Sequence, residues 1–369
     1  MAIFYNNKPL NKVEFDDVDK VFTISDDSRE YSISVPYIPK LESERYDANN
    51  FHLFLFENNH LNAENDVFQL YDKDKDYRVG WIFPISVLDS NENDFAENEH
   101  LNRYKLVAYQ ILLSKNFDYK IEIDRINDEI SISEVYGDDT VIVILSKEKI
   151  QNSNFNIHSY YPSLASYGYY PKNENKLSIT YPIDYLTEKF RGKTRLYLKY
   201  TENKILSESE SFVIKLYENY LKELDHHLIR FHLLYQIIEY FITNEFSLQF
   251  EKLLQEYKDK KITKNNFIEK INNIRSEREN IRNIFEQLNF NDNSFEKEIK
   301  VALERNAKDF LEECNVEVKN NLGDLIYAIR NMIVHNYREI TKNENLLELL
   351  DKITYEFEII VNYLIVNSP

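Results

Sequence analysis

The stretch Asp324–Tyr337 places chemically competent side chains in an otherwise apolar segment near the C-terminal end of the chain. Among its leucine, isoleucine and valine residues stand Arg330, Asn331, His335 and Tyr337. An imidazole titrates near neutral pH and can take up or deliver a proton. An arginine fork binds phosphate and stabilises negative charge that develops nearby. These residue types therefore suit proton transfer beside a bound anion.

Helical geometry gathers the polar side chains of this stretch. At about 100° per residue, Asp324, Arg330, Asn331, His335 and Tyr337 share one broad arc, with Tyr337 within about 20° of Arg330. The opposite arc is a predicted core face made of Leu322, Ile326, Ile329 and Ile333. Because arginine is seldom buried without a partner, we expect the polar arc to face a cleft, a partner subunit or solvent. An ordinary amphipathic helix with a solvated arginine and histidine is the alternative.

A second candidate position is Glu239, an isolated acid in the very apolar segment 226–242. It shares a predicted helix face with three other polar residues, Asp225, His232 and Gln236. The functional interpretation is that Glu239 hydrogen-bonds Arg330 or His335 and fixes its orientation. The alternative is the solvated stripe of an amphipathic helix.

No cofactor and no metal are expected. The chain has only five glycines and neither a P-loop nor a G-x-G-x-x-G pattern. One cysteine, Cys314, excludes an intramolecular disulfide and a cysteine-rich zinc site. His226, His227 and His232 lie close in sequence, but no matching pair of ligands on another predicted helix completes a metal site.

Composition sets the broad class of the protein. The 369 residues allow two domains with ordinary cores. The net charge of −18 argues against a broad basic surface that coats nucleic acid. The N-terminus does not resemble a signal peptide, and no apolar run is long enough for a membrane helix. We therefore expect a soluble, cytoplasmic protein with no membrane partner.

Residues 1–205 read as an antiparallel, β-rich domain that is sandwich-like or rolled. Apolar and polar residues alternate, or apolar residues run together, in predicted strands at 31–35, 51–56, 119–123, 129–133, 140–145 and 195–200. Residues 101–115 fit either a helix or a strand. The segment His158–Pro171 holds five tyrosines, and it predicts either a recognition surface that stacks on bases or a loop packed on its own aromatics.

Residues 206–369 read as an all-α bundle, because the apolar period changes to a helical one near residue 205. The segment 226–242 is apolar nearly all round and should be a central helix. Further helices are predicted through 246–258, 263–290, 294–313 and 345–366, with a charged break at 258–261. Asn321 and Asp324 form a plausible N-cap pair for the helix that carries the opening stretch.

The segment Arg330–Tyr337 resembles the R-x4-H-x-Y form of the signature of HEPN domains. The helical setting extends this resemblance over residues 206–369, and the helix around Glu239 is similar to an earlier core helix of that family. A β-rich module before such a domain resembles abortive-infection proteins of the ApeA type. The β-rich half by itself resembles no family that we can name.

The resemblance implies a metal-independent endoribonuclease, a toxin that acts in antiviral, abortive-infection defence as a homodimer through its helical domain. Arg330, His335 and Asn331 would be catalytic on an RNA substrate, with Glu239 and Tyr337 in support. Two copies of His335 would supply the base and the acid, giving a 2′,3′-cyclic phosphate and a 5′-hydroxyl. In this family the tyrosine can also be a modification site for a partner nucleotidyltransferase, but no such domain is evident in this chain.

Two hypotheses follow from the sequence. In the first, the helical domain is the ribonuclease, and the β-rich domain senses a phage-derived or protein trigger or restrains the nuclease. In the second, the helical domain only dimerises and binds a nucleotide, RNA or protein, and the β-rich domain carries recognition. The acidic net charge and the tyrosine-rich segment motivate the second hypothesis.

Overall fold

The chain folds into two compact units, Met1–Tyr200 and Thr201–Pro369. The structure is a computed structural model. It describes residues 2–5, 8–10, 12–16, 18–19, 21–25, 30–35, 46–58, 66–90, 92–114, 120–122, 129–150, 155–172, 193–201, 204–206, 212–221, 226–290, 294–317 and 321–367. Within those residues every strand belongs to the first unit, and the second unit is helical. The predicted order of a β-rich region followed by an all-α region is confirmed.

The first unit is built from short strands and short helices. Its strands are β1 (Ala2–Tyr5), β2 (Lys8–Leu10), β3 (Lys12–Asp16), β4 (Val21–Ser25), β5 (Glu30–Ser34), β6 (Phe51–Glu57), β7 (Phe68–Asp72), β8 (Tyr77–Pro84), β9 (Lys120–Glu122), β10 (Thr140–Ser146), β11 (Tyr170–Pro171) and β12 (Arg195–Leu198). Its helices are α1 (Ser86–Asp89), α2 (Glu99–Leu112), α3 (Ile132–Tyr136), α4 (Lys147–Ile150) and α5 (Tyr161–Ala165).

Three sheets form from these strands. The largest has the order β11-β6-β10-β8-β7-β12, and its neighbours are antiparallel except for the parallel pair β7 and β12. A second sheet, β3-β4-β5, is antiparallel. The third has the order β2-β1-β9, with β1 and β9 parallel. The expected antiparallel pattern therefore dominates, and two parallel pairings add to it.

Helix α2 joins the six-stranded sheet and the β3-β4-β5 sheet through one apolar core. It occupies most of the segment 101–115, which the sequence left open between helix and strand. Asn98 caps it by accepting hydrogen bonds from two backbone N–H groups of the first turn. One face packs with Trp81 of the six-stranded sheet, and the ring of Tyr109 stacks on Phe22 of the β3-β4-β5 sheet at 5.7 Å.

The strand predicted at 129–133 is wrong, because a helix begins inside it. Ser131 is the N-cap of α3, and its hydroxyl accepts the N–H of Glu134 while the Glu134 carboxylate accepts the N–H of Ser131. The carboxylate of Asp89 accepts two more N–H groups of the first turn. This reciprocal capping outweighs the alternation of apolar residues over so short a segment.

The tyrosine-rich segment His158–Pro171 is packed and does not present an aromatic surface. It forms a 3₁₀ turn, helix α5 and strand β11. Four of its five tyrosines are buried, namely Tyr160, Tyr161, Tyr169 and Tyr170. The packed alternative is therefore confirmed, and the prediction of a base-stacking surface in this segment is wrong.

The same segment also meets the outer backbone of β12. The hydroxyl of Tyr167 donates to the carbonyl of Tyr197 at 3.2 Å and accepts the Tyr197 N–H at 3.3 Å. The hydroxyl of Ser163 accepts the N–H of Lys199 at 3.0 Å. At the opposite side of the sheet, β11 contributes only two residues, one of which is Pro171.

The second unit contains short and long helices. They are α6 (Phe212–Lys215), which continues as a π-helical turn (Leu216–Tyr220), α7 (His227–Lys258), α8 (Lys264–Ile274), α9 (Glu277–Glu286), α10 (Phe295–Glu313), α11 (Leu322–His335), α12 (Tyr337–Ile340) and α13 (Glu344–Asn367). The charged break predicted at 258–261 is confirmed. The helix predicted over 263–290 is two helices, because Ser276 caps the start of α9. None of the helices described in either unit is both long and apolar enough to cross a membrane.

Buried polar pairs tie α7 and the π-helical turn to α13. Arg230 is almost fully buried, and its guanidinium binds the carboxylate of Glu358, with Nε 2.9 Å from Oε2. The hydroxyl of Tyr217 donates to the side-chain oxygen of Asn362. A buried charge is costly unless it is paired, so these contacts specify which faces of the helices meet.

Gly80 generates the first prediction. A Cβ atom at this position in β8 would lie 2.0 Å from the carbonyl oxygen of Ile144 in β10. Since that oxygen belongs to the backbone of a neighbouring strand, Gly80→Ala should lower the free energy of unfolding by about 1–3 kcal/mol or more. Urea unfolding measures the change. Thr194→Ala, an exposed control, should stay within about 0.5 kcal/mol, and equal stability of Gly80→Ala and wild type would contradict the prediction.

Candidate functional site

Helix α11 carries the candidate site, and its first turn sets its position. Asn321 caps the helix, with its side-chain oxygen accepting the N–H of Gly323 at 2.9 Å. A Cβ on Gly323 would lie 2.7 Å from the Cα of Arg282, so the absence of a side chain lets α11 approach α9 closely. The predicted core face is confirmed, since all four of its members are buried: Leu322, Ile326, Ile329 and Ile333.

Asp324 is buried against α9, which corrects its predicted place on an open polar arc. Its carboxylate accepts a hydrogen bond from Arg278 Nε at 2.5 Å and one from Arg282 Nη2 at 3.0 Å. Burial disfavours the charged carboxylate, but the two arginine hydrogen bonds outweigh burial and hold the pKa of Asp324 below its ordinary value. Asp324 therefore anchors the helix and does not complete the N-cap.

Arg330 lies partly buried between α11 and α7. Its Nη1 donates to the side-chain oxygen of Asn331 at 3.1 Å, and its Nη2 lies 3.8 Å from Oε1 of Glu239. The contact predicted between Glu239 and Arg330 is thus present as an ion pair, at a distance longer than a hydrogen bond. The buried Nε of Arg330 has no hydrogen-bond partner among the described residues. Because Nε is buried, a further anion would have to bind the remaining N–H groups of Nη1 and Nη2.

The ring of Tyr235 supports Arg330 from α7. The guanidinium carbon lies 5.5 Å from the ring centre, a cation–π contact. The hydroxyl of Tyr235 donates to Glu277 Oε1 at 2.8 Å, which holds the ring in place. Burial, and then the hydrogen bond to Glu277, raise the pKa of Tyr235 well above its ordinary value. Tyr235 therefore stays neutral and serves as a fixed wall beside the arginine.

His335 is the last residue of α11, and it is exposed. Within the part of the chain that the structure describes, its side chain has neither a hydrogen bond nor an ion pair, so it does not meet Arg330 or Glu239 directly. The imidazole is therefore accessible from solvent. In α11 the structure brings Arg330 and Asn331 together and places His335 one turn further toward the end of the helix.

Tyr337 does not continue the helical face of Arg330, so its predicted position is wrong. Helix α11 ends at His335, and Asn336 leaves the helical conformation with ψ of 25°. Tyr337 begins the separate short helix α12. Its ring stacks on His226 with centroids 6.4 Å apart, and its hydroxyl lies 3.5 Å from Nε2 of that histidine. The tyrosine therefore packs against the start of α7.

The three histidines near the start of α7 point to different neighbours. His226 meets Tyr337, while Nδ1 of His227 lies 2.9 Å from Asp351 Oδ1 on α13. His232 is exposed. The described residues contain no group of three side chains that could hold a metal ion. Asp225, the other polar residue of the predicted stripe, lies outside the described residues.

The exposed surface beside His335 is partly apolar. Contacts of His226 with Tyr337 and of Glu239 with Arg330 show that α7 and α11 run in opposite directions. Ile229 on α7 and Val334 on α11 lie between these two contacts, and they are 48% and 49% exposed. Val334 is next to His335 in the chain, and Ile229 is a second half-exposed branched side chain on the neighbouring helix.

Comparisons of the chain with protein-family models, with curated proteins and with solved structures give no match. The site therefore has to be interpreted from its own residues. Sequence reasoning missed Tyr235, Glu277 and His226 as its neighbours. A signal for Tyr235 was available, because it lies one helical turn before Glu239 on the same face of α7. Glu277 and His226 meet the site only through tertiary packing.

Asp324 generates the second prediction. Asp324→Asn removes a carboxylate held by two arginines, so the free energy of unfolding should fall by about 1–3 kcal/mol at pH 7. Because the folded-state pKa is depressed, this contribution is complete above the unfolded-state pKa of about 3.9 and is lost as the pH falls further through the folded-state pKa. Urea unfolding of both chains between pH 7 and pH 3 measures the difference.

The matched control is Glu279→Gln, since Glu279 pairs with the same Arg282 at 3.2 Å but is half exposed. An exposed pair contributes less than about 1 kcal/mol. Equal losses for Asp324→Asn and Glu279→Gln, or a loss for Asp324→Asn that does not shrink toward pH 3, would contradict an anchoring role for Asp324.

Proposed function

We propose that the chain is a metal-independent endoribonuclease whose active site is formed by the helical unit. The observation that carries the proposal is the state of Arg330. It is held at a defined position by Asn331, Glu239 and Tyr235, and its side chain is still 25% exposed. An exposed imidazole, His335, stands on the same helix. A fixed guanidinium and an exposed imidazole supply a phosphate-binding group and one acid–base group for cleavage at a ribose phosphate.

The reaction follows from these groups. The neutral imidazole of His335 takes the proton of a ribose 2′-hydroxyl. The 2′-oxygen forms a bond to the adjacent phosphorus as the bond from phosphorus to the 5′-oxygen breaks. Arg330 stabilises the negative charge that grows on the phosphoryl oxygens. The hydrogen bond from Arg330 to Asn331 limits the orientation of the guanidinium. The products are a 2′,3′-cyclic phosphate and a 5′-hydroxyl.

One helix supplies only one acid–base group, so the leaving 5′-oxygen needs a second proton donor. In a two-fold dimer the partner subunit's His335 would deliver that proton. The half-exposed Val334, next to His335 in the chain, and the half-exposed Ile229 on α7 support such a contact, because apolar side chains at the centre of an interface are covered by the partner. Tyr337 and His226 would lie at the rim of the same surface.

The biological setting is part of the proposal. The resemblance of Arg330–Tyr337 to the HEPN signature supports a toxin that cleaves cellular RNA during antiviral, abortive-infection defence. The β-rich unit would then sense a trigger or restrain the nuclease. In that setting the activity of the free chain depends on the trigger, so a source of triggers belongs in any assay of cleavage.

A second candidate function is a non-catalytic module that dimerises and binds a nucleotide, RNA or a protein. One observation favours it: Arg330 already has a carboxylate, an amide and a ring as neighbours. In that case Arg330 holds α7 and α11 together, and His335 is an ordinary surface histidine. The two functions therefore differ in whether RNA cleavage requires His335.

The third prediction concerns cleavage. Wild-type chain supplied with phage lysate as a source of triggers should cut total RNA or tRNA in the presence of EDTA and leave 2′,3′-cyclic phosphate ends. His335→Ala should slow cutting by at least about 100-fold, since general acid–base catalysis contributes about 10²–10⁴. Arg330→Lys should also lose activity, because a lysine cannot reproduce the planar fork. Gel analysis of RNA and end-group analysis of the products measure both effects.

His232→Ala is the matched control, because it removes another exposed histidine of the same unit and should cut like wild type. Thermal unfolding of each variant separates loss of chemistry from loss of fold. If wild type never cuts RNA, even with phage lysate as a source of triggers, or if His335→Ala cuts equally well, the non-catalytic function replaces the nuclease.

The fourth prediction concerns the dimer. The double variant Ile229→Glu, Val334→Glu places charges at two half-exposed apolar positions of α7 and α11 and should convert a wild-type dimer to monomer at micromolar concentration, because burying unpaired charge is costly. Sedimentation velocity measures the mass. Val301→Glu is the control, since Val301 on α10 is 58% exposed and outside the candidate site. A wild-type monomer at all concentrations, or a double variant that stays dimeric, would contradict this interface.

A further inference from the structure

One face of the six-stranded sheet carries a cluster of arginine, tyrosine and glutamine side chains that the proposed nuclease does not use. We call it the arginine–tyrosine patch, and its members are Gln69, Tyr71, Arg78, Arg195 and Tyr197. The strand register pairs Gln69 with Arg195 and Tyr71 with both Tyr197 and Arg78. Paired residues point to the same face of a sheet, so all five side chains share one side.

Contacts within the arginine–tyrosine patch are continuous. The guanidinium carbon of Arg195 lies 4.7 Å from the centre of the Tyr71 ring, and the rings of Tyr71 and Tyr197 are 5.7 Å apart at 48°. The side-chain oxygen of Gln69 accepts from the Tyr71 hydroxyl and from Arg78 Nη1, both at 3.4 Å. These contacts pre-orient the rings and guanidinium groups before any ligand binds.

The patch is open to solvent and carries positive charge. Tyr197 is 37% exposed and Arg195 is exposed, while Tyr71 and Arg78 are half-buried. Among the described residues neither Arg195 nor Arg78 forms an ion pair with a carboxylate. The chain as a whole has 63 acidic and 45 basic residues. The chain has a surplus of carboxylates, yet neither of these two arginines pairs with one among the described residues. The two guanidinium groups therefore leave a local site for an anion.

We infer that the arginine–tyrosine patch binds single-stranded RNA. Arg195 and Arg78 would bind successive phosphates, and a base would stack on the accessible ring of Tyr197. Ring faces beside guanidinium groups match the alternation of bases and phosphates along a single strand. An acidic peptide would use the arginines but not the ring. The choice of RNA over DNA rests on the proposed function, because that function places RNA on the same chain.

Binding is tested with the full chain carrying His335→Ala, so that the probe stays intact, and with a fluorescein-labelled oligouridylate of about ten nucleotides. Fluorescence anisotropy should show binding that weakens as salt rises. Tyr197→Ala should weaken it about 5- to 100-fold, the effect of removing one stacked base, and Tyr197→Phe should restore it. Arg195→Glu should weaken binding and reduce the slope of log affinity against log salt by about 0.7 for each phosphate that the variant no longer neutralises.

Two variants in the helical unit control for exposure and charge. Tyr257→Ala removes a tyrosine that is 38% exposed, and Lys264→Glu reverses an exposed charge. Both should bind the probe like the parent chain. Thermal unfolding checks that each variant is folded.

The proposal is overturned if the parent chain does not bind the oligouridylate, or if Tyr197→Ala and Arg195→Glu bind it as tightly as the parent. It is also overturned if a deoxyuridylate of equal length binds equally well, or if oligoglutamate displaces the RNA at a matched charge concentration. Because binding is measured without cleavage, loss of the proposed nuclease activity would leave this readout unchanged, so the two failures are distinguishable.

Discussion

The carboxylate of Asp324 determines which side of α11 meets the rest of the helical unit. A buried carboxylate is tolerated only where partners satisfy it, and Arg278 and Arg282 on α9 provide them. Gly323 permits the close approach that brings these groups together. This contact fixes the rotation of α11 about its own axis. Arg330 then faces α7, while Val334 and His335 remain exposed to solvent. The geometry of the candidate site is therefore a consequence of an ion pair almost two helical turns away.

Helical periodicity predicted most of the second unit, because its apolar residues recur at a single spacing. In a long helix, a few residues that depart from this spacing do not hide the pattern. The same reasoning failed for Tyr337. A helical wheel assumes that the helix continues through Tyr337, whereas Asn336, one residue before it, interrupts the helix. It also misplaced Asp324, since an acid near the start of a helix is equally compatible with capping and with tertiary pairing. Sequence therefore predicted Arg330, Asn331 and His335 on one helix but not what surrounds them.

The sheets show a different limit. Strands such as β6 and β10 were recognisable because each carries its own apolar pattern. The pairing of β12 with β7 joins segments far apart in the chain, and no local pattern specifies such a partner. The prediction of an accessible aromatic surface failed for a related reason. Those concentrated between residues 158 and 171 are mostly buried, whereas exposed Tyr197 lies alone in a strand. Local density of tyrosine did not indicate where tyrosine is accessible.

The two ends of the six-stranded sheet also limit how other molecules can join the β-rich unit. An exposed strand edge invites addition of a strand from a second chain, which leads to β-augmentation or fibrous aggregation. At β12 the hydroxyl groups of Tyr167 and Ser163 already occupy the outward backbone groups of Tyr197 and the N–H of Lys199. At β11, Pro171 has no N–H to offer. Strand addition is therefore hindered at parts of both ends of the described sheet, whereas the side chains on its faces remain open to recognition.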